Sequence, residues 1–124
     1  MSFDLNRPWI GRWLLGVAVV HTLFGALAFP QVLRQLWQFG LVDSVGADPL
    51  RGAVVWFLLF AAPLALLAWV ITPLERQPGT VALLRQLGAG LLALALLGIV
   101  LMPASGFWLA LPPAIALLLR RRDA

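Results

Sequence analysis

The 124-residue chain has no cysteine, no lysine and no tyrosine, and its single histidine is His21. Without a thiol there is no disulfide exchange, thiolate catalysis, iron–sulfur cluster or cysteine-ligated zinc. Without lysine, no Schiff base to retinal or pyridoxal forms. One imidazole cannot build a multi-histidine metal site within one chain. Charge is scarce too: charged residues make up 11% against 62% hydrophobic, where a soluble domain carries about 25% charged. Five acids and nine arginines cannot give so apolar a chain a water-soluble surface, so its bulk is read as lying in lipid. A secreted domain, a cytosolic enzyme and a disordered tail are thereby excluded.

What is present is a set of apolar runs separated by prolines and arginines. A hydrocarbon core of ~30 Å takes ~20 helical residues, fewer where the flanks snorkel. Four runs approach that: Trp13 to Phe29 before Pro30, Ala53 to Thr72 before Pro73, Leu87 to Met102 before Pro103, and Phe107 to Leu119, extended back to Ser105. Pro112 and Pro113 remove donors within the last run, so a kink is expected there. The expected fold is all-α and integral to the membrane. It is one domain, residues 1–124, a four-transmembrane-helix bundle with spans at about 13–29, 53–72, 87–102 and 105–119.

Arg7, Arg12, Arg76, Arg85 and Arg120 to Arg122 fall on the side shared by both termini, and Arg34 and Arg51 on the other. Seven against two places both termini in the cytoplasm, and the location is read as a bacterial inner membrane. Only Arg120 to Arg122 are consecutive, so the net charge of +4 is a topology signal and no nucleic-acid partner is expected. Arg7 and Arg12 ahead of a run ending Ala26-Leu27-Ala28 also have the look of a signal peptide. The segment is read here as an uncleaved span.

The connection from Pro30 to Arg51 is the long one. Gln31, Arg34, Gln35 and Gln38 recur at helical spacing, opposite Val32, Leu33, Leu36 and Trp37. That pattern predicts a short amphipathic helix flat on the outer interface, ended by Gly40, with a turn over Leu41 to Leu50. Of six tryptophans, Trp9, Trp13, Trp37 and Trp108 fall at predicted interfaces and Trp56 and Trp69 near the ends of the second span, as an aromatic belt would.

His21 lies mid-span, where an ionisable group faces protein or trapped water. It reads as a neutral imidazole bonded to backbone, as a ligand contact, or, as a minor possibility, as a haem ligand. Met102, the obvious second ligand, lies about 12 Å away in depth. No metal or cofactor is therefore expected, and no catalytic residue is assigned. Gly25 leaves room beside the ring. Ser105 suits the N-cap of the last span. Together His21, Gly25, Trp56, Ser105, Phe107 and Trp108 are the candidate ligand-binding set, around an apolar cavity toward the outer leaflet. Arg12 and Arg85 are candidate head-group contacts. Glu75 and Arg76, in the tight inner turn, read as a solvated pair.

Three segments, His21-Thr22-Leu23-Phe24-Gly25, Trp56-Phe57 and Met102-Pro103-Ala104-Ser105-Gly106-Phe107-Trp108, resemble a bacterial domain-of-unknown-function family of small four-span membrane proteins. The resemblance covers most of the chain and implies the topology; it supplies no activity.

Three functions compete. A binding or accessory protein would hold an apolar, lipid-like ligand between helices, with membrane lipids as partners. Stripes of small residues such as Ala18, Thr22 and Ala26 favour a homo-oligomer, expected as a dimer. A small dimeric transporter would require an embedded acid, which no predicted span contains. A membrane enzyme using His21 as acid–base would find only Thr22, Thr72 and Ser105 as partners. Binding ranks first.

Overall fold

A computed structural model describes residues 7–40 and 42–121; Leu41 and Arg122, invoked above, lie outside them. The described residues form α1 (Ile10–Ala28), α2 (Pro30–Phe39), α3 (Pro49–Leu59), α4 (Ala61–Leu74) and α5 (Val81–Leu101). A 3-10 segment (Gly106–Ala110) then leads into α6 (Leu111–Leu118), and no strand occurs among the described residues. α3 and α4 make one bent rod of 26 residues. With α1 (19 residues) and α5 (21 residues) it is one of three helices long and apolar enough to cross a membrane. The run Gly106–Leu118 is a shorter apolar helix.

Proline sets the punctuation. Pro30 and Pro49 each open a helix, where no N–H is needed and φ is already helical. The Asp48 carboxylate completes the start of α3, accepting from the amides of Leu50 (2.9 Å) and Arg51 (3.0 Å). Pro63 has no N–H to give the carbonyl of Leu59, and the rod breaks at Phe60 between them. Gly40 ends α2 at φ 81°, in the left-handed region that suits glycine.

The kink expected at Pro112 and Pro113 does not form inside a helix. Both prolines occupy the first turn of α6, where amides have no partner to lose, and the preceding residues wind as 3-10. That winding also adds length. At ~2.0 Å per 3-10 residue and 1.5 Å per α residue, Gly106 to Leu118 cover about 22 Å.

α1 is central, with α4 along one side and α6 along the other, and α5 packs beyond α6. The main core joins Ile10 and Leu14 of α1, Ala68 and Ile71 of α4, Leu84 and Leu91 of α5, and Ala114, Ala116 and Leu117 of α6. Most of these lie near the end where α1 and α5 begin and α4 and α6 finish, called here the proximal end. Gly11 and Gly88 allow the close crossings: a Cβ on Gly11 would lie 2.9 Å from the Ala68 carbonyl, and one on Gly88 2.7 Å from the Leu117 Cβ. Outward, large apolar side chains such as Leu27, Trp56, Trp69 and Val100 are at least three-quarters exposed. A surface of that kind suits hydrocarbon.

Candidate functional site

The proximal end carries the densest polar network. α1 starts at Pro8-Trp9-Ile10 with no side-chain cap of its own, so its first amides need an acceptor from elsewhere. Glu75, just past α4, supplies it. Its Oε1 accepts from the amides of Trp9 (3.2 Å) and Ile10 (3.1 Å), and its Oε2 from Gly11 (3.1 Å). The negative carboxylate also suits the positive end of the α1 dipole. Arg120, following α6, donates through Nη1 to Glu75 Oε1 (3.1 Å) and through Nη2 to the Glu75 carbonyl (2.8 Å). Arg85 of α5 donates through Nε to the Arg120 carbonyl (2.8 Å).

The side chains of Glu75 and Arg120 are 1% and 5% exposed. Four helix ends are thus tied by one buried pair. The solvated Glu75–Arg76 pair expected from sequence is corrected: the chain turn buries Glu75, and its cation is Arg120, 45 residues away. Arg85, a head-group candidate, is engaged in this network.

His21 is half-buried, stacked on Phe57 with ring centroids 3.9 Å apart. Its Nε2 lies 2.6 Å from the Phe57 carbonyl, and a ring nitrogen facing an acceptor carries the proton and donates it. Phe60 adds a tilted contact at 5.8 Å. The histidine thus pins α1 to α3, close to the break in the rod. Gly25 is not beside empty space: a Cβ there would lie 2.5 Å from Leu58 and 3.1 Å from the Phe57 ring. Trp56 points outward, three-quarters exposed.

The remaining candidates gather elsewhere. Ser105 accepts from the amide of Phe107 at 3.4 Å and opens the 3-10 segment. The Phe107 ring covers Gly98 of α5, and Trp108 donates through Nε1 to the Pro103 carbonyl at 2.8 Å. Among the described residues, no hydrogen bond or ring contact joins this group to His21.

The open volume lies between α1 and α4. One groove of about 630 Å³ is lined by Gly11, Arg12, Leu15, Ala62, Ala65 and Trp69, among others. A second of about 360 Å³ continues along Ala18, Thr22, Leu58 and Ala61 and shares Leu15, Ala62 and Ala65 with the first. Small side chains on facing stretches of α1 and α4 open the trough. The two threonines on its walls turn inward on their own helices, Thr22 to the Ala18 carbonyl (2.9 Å) and Thr72 to the Ala68 carbonyl (2.7 Å). Its lining therefore presents an apolar face with one cation, Arg12, near the proximal end.

A family model described as "Family of unknown function (DUF6463)" matches residues 5–124. The chain belongs to that family. No curated protein and no solved structure matches it. In this DUF6463 chain, sequence reasoning missed the Glu75–Arg120 pair and the α1–α4 groove. Two signals were available: a helix start without a capping residue, and alanines at 62, 65 and 68 spaced along one helix face.

Proposed function

We propose that the protein is a four-span membrane protein of the bacterial inner membrane that binds an apolar, lipid-like ligand in the groove between α1 and α4. One observation carries the reading: the two confluent hollows share Leu15, Ala62 and Ala65 and are walled almost wholly by apolar side chains. The His21 ring is spent on a backbone carbonyl, and the buried Glu75 and Arg120 are spent on backbone groups and on each other. That favours holding a ligand over acid–base chemistry or proton-coupled transport.

The topology belongs to the same proposal. Arg120 returns to Glu75, which caps the start of α1, so the described chain begins and ends at one side. Four crossings satisfy that return, the last made by the 3-10 segment and α6. The arginine excess makes the proximal end cytoplasmic. α2, with only Val32 buried and Trp37 exposed, then lies on the outer interface.

The test is mass spectrometry of lipid retained by protein purified in mild detergent. Wild type should carry a lipid-like molecule, and Ala62→Phe, filling both hollows from an exposed position, should lose it. Equal retention in the two proteins would defeat the reading.

A further inference from the structure

The groove has the dimensions and polarity of one end of a particular ligand class. From Gly11 to Thr22 it follows about 16 Å of α1 at 1.5 Å per residue. That is the depth of one leaflet of a ~30 Å hydrocarbon core. Its walls are apolar along that length, and its charge sits at one end only. Arg12 lines the proximal mouth, is exposed, and among the described residues has neither hydrogen bond nor ion pair. Among the other arginines of this end, Arg85 and Arg120 are engaged in the clasp, and Arg7 and Arg76 line neither hollow. The exposed indole of Trp69 stands on the facing wall, on α4, where an amphipathic ring meets head groups. A single unpaired cation at the mouth of an apolar trough one leaflet deep complements an amphiphile with an anionic head.

We propose that the groove's occupant is an anionic phospholipid of the cytoplasmic leaflet, its phosphate at Arg12 and one acyl chain along Leu15, Ala62 and Ala65 toward Thr22 and Leu58. This rests on the reading of the groove as a ligand site and adds the head group, the leaflet and the residue that selects them. The guanidinium supplies paired donors that match phosphate oxygens. Salt weakens the contact, because the mouth is open to water.

The test is native mass spectrometry of the full chain in mild detergent, titrated with phosphatidylglycerol or phosphatidylcholine bearing identical acyl chains. Wild type should retain phosphatidylglycerol about five-fold more tightly, the effect of one arginine near an anionic group. Arg12→Gln should bring the ratio close to one while a lipid is still held. Arg34→Gln, which removes the same charge from α2, should leave the ratio at its wild-type value. Ala62→Phe should lose both lipids.

A preference that survives Arg12→Gln, or falls equally in Arg34→Gln, overturns the head-group assignment. Equal binding of both lipids by wild type, abolished by Ala62→Phe, also overturns that assignment but leaves the groove reading standing. Wild type that retains neither lipid, or a lipid-free dimer that Ala62→Phe dissociates, overturns both. The Arg12 comparison decides the assignment even where Ala62→Phe fails to fold.

Discussion

Replacing Arg120 with leucine removes the cation from a carboxylate whose side chain is 1% exposed. Two donors to Glu75 disappear, Nη1 to Oε1 and Nη2 to the Glu75 carbonyl. Hydrogen bonds to charged groups contribute ~1.5–3 kcal/mol each, and breaking a buried pair costs ~3–5 kcal/mol. Glu75 keeps its three amide donors from the start of α1, which hold part of the negative charge in place. The expected loss therefore sits at the low end, about 3 kcal/mol. The double variant Glu75→Gln/Arg120→Leu leaves no buried charge among the described residues, and its loss should be smaller than the sum of the single losses by ~1–3 kcal/mol. Reversible SDS titration followed by far-UV circular dichroism measures all four corners of the cycle. Arg120→Leu within ~0.5 kcal/mol of wild type, or strictly additive losses, would refute the clasp as a coupled unit.

Gly98→Leu should destabilise by ~1–3 kcal/mol, because a side chain there must displace the Phe107 ring; adding Phe107→Ala should recover part of it in the same titration. His21→Ala should cost about 2 kcal/mol by stranding the Phe57 carbonyl and losing the stack, while lipid retained in the α1–α4 groove stays at wild-type level. Asp48 is held below its ordinary value of 3.8, chiefly by the Arg51 amide. Its depressed value means that its stabilising bond is complete above pH 3.8 and is lost as pH falls through the folded value, so hydrogen exchange at Leu50 and Arg51, corrected for intrinsic rates, should lose protection only at such low pH. Single cysteines at Asp43 and Gln77, in a chain with no native thiol, should label from opposite faces of the membrane; labelling from one face would sink the topology.

Some of this architecture is legible one residue at a time. Apolar runs bounded by Pro30 and Pro103 declare helices and their stops, since the missing N–H and fixed φ act locally, whereas the start of α3 at Pro49 falls where the sequence reads as turn. The amphipathic spacing of Gln31, Arg34, Gln35 and Gln38 marks α2 as a helix for the same reason, and Arg12 stands out as a cation beside an apolar run. The partnerships were decided only by tertiary structure. Glu75 meets the amides of Trp9 to Gly11 across 64 to 66 residues because Gly11 lets α1 close on α4. Arg120 reaches Glu75, rather than neighbouring Arg76 doing so, because α6 brings its end back to the start of α1. His21 looked like chemistry in sequence since an ionisable group mid-span is costly, and the fold answers that cost with a backbone carbonyl. Periodicity records which side of a helix is apolar; which neighbour covers it, and where small residues leave a trough open, depends on helices that meet only when the chain is folded.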